Sequence, residues 1–210
     1  MNRSVFSVLV SASLSLVIWS GNVTQSSAAE PTPSAPVFNE EEGHKLYRSG
    51  LYPEAIQHWE KAAELGDAGA AFRLGEEYFD AKVVDRDLER VLRYWQQSAA
   101  GQDPRGITDL AGLYDYGNGV SPDRQKAAEL YAAAAKMGFP AAMFNIAAML
   151  EVGEEVEKDV VEAYKYYVLA GRNGFAPFTK PAIESLKKNM SPEQVQEGDR
   201  RVREFKAAKN

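Results

Sequence analysis

The chain repeats itself every thirty-six residues, and no other feature of its 210 residues constrains the fold as much. Trp59, Trp95, Tyr131 and Tyr167 stand one period apart, as do Ala55, Val91, Ala127 and Ala163. Ala62, Ser98, Ala134 and Ala170 keep the same step, and so do Gly66, Gly138 and Gly174, with Gln102 as the exception. Elsewhere in the unit Leu74–Gly75 returns as Leu110–Ala111 and Ile146–Ala147. Val84, Val120 and Val156 hold register with Asp87, Asp123 and Asp159. A period between 20 and 50 residues means a solenoid, a propeller or an array, in which each unit buries its apolar face only against its neighbours.

Within the unit the spacing is helical. Ala127, Tyr131 and Ala134 lie four and three residues apart, which places them on one helix face. Asp87, Asp123 and Asp159 stand where the second helix of a pair begins, and their carboxylates are predicted to cap free N–H groups. The glycines that end the second helices supply the left-handed conformation past a C-cap. The predicted units run over 38–66, 67–102, 103–138 and 139–174, with capping helices within 175–210. Pro177 and Pro181 are expected to interrupt the pattern, leaving a last first-helix over Ala182 to Leu186. Ser191-Pro192-Glu193-Gln194 then reads as a capping box opening a terminal helix. That helix has few apolar residues and a charged outer face, which suits an end that no further repeat covers.

Ahead of the repeats, residues 1–29 read as a secretory signal: Arg3, an apolar run from Val5 to Trp19, then Ser27-Ala28-Ala29 as a cleavage site. The run is short and carries four serines, so a stable membrane span is not expected. Residues 30–37 form a Pro-rich linker. The expected location is periplasmic or secreted. A net charge of −6 argues against a nucleic-acid groove, which needs clustered Lys and Arg. The absence of cysteine excludes disulfides, thiolate nucleophiles and Cys-based zinc sites. His44 and His58 lack metal-ligand spacing. Gly117-Asn118-Gly119 lacks the Lys-Ser/Thr of a phosphate loop, and Asp115 to Asp123 lacks the ligand order of a calcium loop. No cofactor and no metal is expected.

Taken together, these units resemble Sel-one-like repeats, relatives of the tetratricopeptide repeat. The fullest match runs from Gly106 to Gly138, through Leu110, Tyr114, Gly117-Asn118-Gly119-Val120, Asp123, Ala127, Tyr131, Ala134 and Ala135. Ala81-Lys82-Val83 departs from it by lacking the loop glycines. The resemblance implies an all-α fold, a right-handed α-solenoid of stacked antiparallel helix pairs whose first helices line a concave face. It also implies that positions two, five, nine, twelve and thirteen of each first helix face inward. Those positions hold Tyr47 and Arg48; Phe72, Glu76, Phe79 and Asp80; Arg105, Asp115 and Tyr116; and Phe144 and Glu151. Aromatics with carboxylates there suit a polypeptide segment, although Phe72 and Phe144 equally suit packing between first helices.

The function implied is that of a non-enzymatic envelope protein that binds another protein, as an immunity protein against a lipase-type effector or as a periplasmic regulator. Two alternatives stay open: an exported hydrolase acting on peptidoglycan or lactams, with Glu76, Asp80, Asp115 and Glu151 as its candidate acids, and a structural adaptor of an envelope complex.

Overall fold

A computed structural model of the chain describes residues 37–208. The signal expected over 1–29 lies outside them, as does the linker expected over 30–37 apart from Val37. The described residues carry ten α-helices and no strand. They pair as α1 (Glu40–Arg48) with α2 (Tyr52–Glu64), α3 (Ala68–Asp80) with α4 (Leu88–Ala100), α5 (Pro104–Tyr116) with α6 (Arg124–Lys136), and α7 (Pro140–Val152) with α8 (Val160–Ala170). A π turn over Gly171–Phe175 leads to α9 (Ala176–Lys187) and α10 (Pro192–Glu204). From α1 to α8 each helix packs on its successor, and α10 folds back onto α8. The architecture is the expected all-α solenoid of stacked helix pairs.

The second helices start where the aspartates can hold them. Asp87 accepts from the N–H groups of Glu89 and Arg90, Asp123 from Lys126, and Asp159 from Val161 and Glu162. The backbone N–H of each same aspartate donates back to the preceding first helix, to the carbonyls of Tyr78, Tyr114 and Leu150 at 3.2, 2.8 and 3.1 Å. One residue type therefore closes the loop and opens the helix. Asp67 and Asp103 do the capping for α3 and α5, a role the sequence reading did not assign. At the end of the first helices Gly117 and Gly153 take φ of 72° and 81°. Ala81, at the same register, takes 56°. The loop without glycines thus keeps its geometry with a side chain in a conformation that costs roughly 1 kcal/mol.

Small residues let the helices of a pair cross closely. A Cβ on Gly43 would collide with the Trp59 indole, and one on Gly75 with that of Trp95. Where the second helix carries a tyrosine instead, at Tyr131 and Tyr167, the matching position holds Ala111 and Ala147, all of them buried.

The prolines of the last unit do not act as expected. Pro177 sits in the first turn of α9 and Pro181 inside that helix, which opens at Ala176 rather than near Ala182. The break comes earlier, in the π turn, at Asn173 and at Gly174 with φ 101°. The capping box of Ser191 and Gln194 is formed. From there α10 lies over α8: Arg201 pairs with Glu162 at 2.8 Å and Asp159 at 3.2 Å, and the Tyr164 hydroxyl donates to Asp199 at 3.0 Å. Beyond α10, the Ala208 N–H reaches the Lys136 carbonyl at the end of α6, 2.8 Å away.

Candidate functional site

First helices three, five and seven leave two adjoining basins along their shared face. The central one, about 400 Å³, is walled by Glu76, Phe79 and Asp80 of α3, by Thr108, Asp109, Gly112, Leu113 and Tyr116 of α5, and by Ala141 and Asn145 of α7. Trp95 and Tyr131 close it from the second helices. The other, about 450 Å³, lies between α5 and α7, with Asp115, Phe144, Ala148, Met149 and Val152 on its walls and Arg124 and Glu154 beside them. Tyr116 and Asn145 belong to both, so the two basins form one groove. Gly112 keeps the central basin open: a Cβ there would meet only the Tyr131 hydroxyl, at 3.7 Å.

The central basin is acidic. Glu76, Asp80 and Asp109 line it, and among the described residues no basic side chain does. The cations nearby are already engaged. Arg73 bridges Glu40 and Glu76, at 2.9 Å to each. Arg105 forks onto Glu40 at 2.7 and 2.9 Å and holds Asp103 at 2.6 Å. Lys82 pairs with Asp80 at 2.7 Å, and Arg86 lies 4.9 Å over the Phe79 ring. Asp109 has no ion-pair partner among the described residues. Burial, reinforced by Glu76, Asp80 and Asp103 and opposed by Arg105, pushes its carboxyl up to about 7. In the second basin Asp115 pairs with Arg124 at 3.3 Å, and Arg124 also reaches Glu154 at 2.7 Å. Burial pushes the Tyr131 hydroxyl up as well.

Of the residues expected on the inner face, Glu76, Phe79, Asp80, Asp115, Tyr116 and Phe144 line the groove. The others lie elsewhere. Tyr47 stacks 5.6 Å from Trp59, meets Tyr52 at 4.9 Å, and donates to Glu77 at 3.3 Å. Arg48 is exposed, 3.7 Å from Glu41. Phe72 is only 6% exposed and lies under the Arg105 guanidinium, so packing accounts for it. Arg105 is locked in its fork, and Glu151 accepts from the Tyr167 hydroxyl at 2.9 Å. Phe144 does both jobs: its ring sits 5.6 Å from Tyr167 and 6.4 Å from Phe178 while facing the second basin.

Sequence reasoning missed Asp109, Gly112 and Asn145. A signal existed for two of them: Arg73, Asp109 and Asn145 share one register, polar in three units and each directly before an apolar core residue, Leu74, Leu110 or Ile146. Among the described residues no cluster of His, Asp or Glu is placed to hold a metal ion, and no helix is long and apolar enough to cross a membrane.

No curated protein matches the chain. Among solved structures, c5321, a protective antigen of uropathogenic Escherichia coli displaying an SLR fold, is 25% identical, with a TM-score of 0.70 over 79% of this chain and 36% of its own. A Sel1 repeat protein from Oxalobacter formigenes is 21% identical, with a TM-score of 0.64 over 69% of this chain and 59% of its own. The chain therefore spans less than two thirds of either protein. The Sel1 repeat model matches residues 41–67, 68–103, 104–139 and 140–175, four consecutive stretches that follow the four helix pairs. On that match, which takes in more than half of its residues, the chain belongs to the Sel1 repeat family.

Proposed function

We propose that this chain is a protein-binding module of the bacterial envelope that receives a segment of its partner in the groove along α3, α5 and α7. Binding other proteins is typical of Sel1 repeats. The observation that carries the reading here is Tyr116, 74% exposed on the wall common to both basins. An aromatic so exposed adds little to stacking, and tyrosine is among the residues that anchor interfaces. Gly112 supports the same reading, since a glycine inside a helix costs about 1 kcal/mol relative to alanine and leaves space that no described side chain fills.

Capturing partners from envelope extracts with wild type, Tyr116→Ala and Gly112→Leu tests it. The captured protein should be lost in both variants while their helical content stays unchanged. Full-strength capture by both would end the proposal.

A hydrolytic reading draws on one observation, the Asp109 carboxyl held near neutrality in a basin with Glu76 and Asp80, where a general acid or base would sit. Turnover of peptidoglycan fragments that vanishes in Asp109→Asn would establish it over binding alone.

A further inference from the structure

We infer that the segment received in this groove is an extended stretch of polypeptide presenting a lysine or arginine to the central basin and an apolar side chain to the second basin. The inference rests on the groove reading above and adds the chemistry of the occupant.

Charge decides the first position. The central basin is walled by Glu76, Asp80 and Asp109, of which Asp109 has no ion pair among the described residues. Arg73 and Lys82 pair with Glu76 and Asp80, but Arg73 is shared with Glu40 and Arg105 is divided between Glu40 and Asp103, so five carboxylates meet three cations and Asp109 is left over. An acidic segment would meet like charges there, and a neutral one would leave Asp109 without a counter-charge in a half-buried site. A basic side chain supplies the missing charge, with the exposed Tyr116 ring beside it as a π face. The raised carboxyl of Asp109 agrees with such a vacancy, since an arriving cation would favour its ionised form.

The second position follows from the neighbouring walls. Phe144, Ala148, Met149 and Val152 are apolar, and Val152 is 58% exposed. The two acids there, Asp115 and Glu154, already share Arg124, so this basin favours an apolar group. Because Tyr116 and Asn145 wall both basins, one continuous chain can occupy both, which a small cation cannot.

The test is a selection from random twelve-residue peptides displayed on phage, followed by titration of the most enriched peptide, made synthetically with a fluorescent label. A Lys or Arg should dominate one position, with an apolar residue at a fixed short spacing. The synthetic peptide should bind at least tenfold more weakly to the Glu76→Gln/Asp109→Asn double variant and fail on Tyr116→Ala, with circular dichroism unchanged in each. Enriched peptides without basic residues, or equal affinity for the double variant, would overturn the cation while a loss in Tyr116→Ala kept the groove. Binding indifferent to Tyr116→Ala would remove the groove reading and this inference together.

Discussion

At the scale of the residue, Asp109 occupies a site that opposes its own charge. Glu76 and Asp80 face it from α3, Arg105 from its own helix and Asp103 from that helix's N-cap, and Tyr131 and Asn145 wall the basin opposite. Its carboxyl is raised in the folded chain, from 3.8 to about 7, so between those values the folded state keeps a proton the unfolded state has released. Stability from this group is then lost as pH rises from about 4 to about 7. Asp109→Asn should be more stable than wild type at pH 8 by about 2 kcal/mol, allowing for partial solvent screening, and nearly equal at pH 4. Urea unfolding at both pH values reads this directly, and equal stability at pH 8 would contradict it. A bound cation favours the ionised carboxyl, so the peptide should bind roughly tenfold more tightly at pH 8 than at pH 6, and Asp109→Asn should flatten that profile. Asp109 escaped the sequence reading because its facing depends on how three first helices splay, and helix position pointed to Arg105, Asp115 and Tyr116 on that helix.

At the scale of the element, the crossing of each helix pair is set by one small residue under one large ring. Gly75 lies against Trp95 with no room for a methyl group, although alanine would favour the helix by about 1 kcal/mol. Gly75→Ala should therefore destabilise the chain by about 1–3 kcal/mol through overpacking. Adding Trp95→Tyr recreates the combination found at Ala111 with Tyr131 and should recover much of the loss, a coupling that a double-mutant cycle measures. Simple additivity of the two changes would disprove the pairing. These elements were legible in the sequence because the same aspartates, alanines and rings recur at one register, each enforcing a local rule. Pro181 departs from its expected role as a break because Asn173 and Gly174 turn the chain earlier, so the proline falls inside the helix that follows. The return of α10 onto α8 carries no periodic mark, since it depends on ion pairs between distant residues such as Arg201 and Glu162.

At the scale of the whole molecule, the two ends are finished differently. The α1–α2 end leaves Leu51 and Tyr52 more than 40% exposed, while α10 and the residues after it cover Tyr164 and tie back to the end of α6. A stack whose stability is a sum of units and interfaces loses most where a cover is removed. Deleting residues 191–210 should lower Tm and let α7 and α8 exchange amide hydrogens before α3 and α4 do; uniform exchange across the stack would show that α10 contributes no local cover. The Glu40 cluster has a mechanical consequence. Glu40 opens the first helix yet grips Arg105 two units further on, so it works like a clip that spans one coil of a spring to hold the next, setting their pitch. The Arg105 hydrogen bond holds its carboxyl below the usual range, so the clip stays charged through mild acid and is lost only as pH falls past that lowered value. Unclipping it with Glu40→Gln leaves two guanidinium groups facing one another, and the spring should lengthen, visible in small-angle scattering as a larger radius of gyration with helical content unchanged.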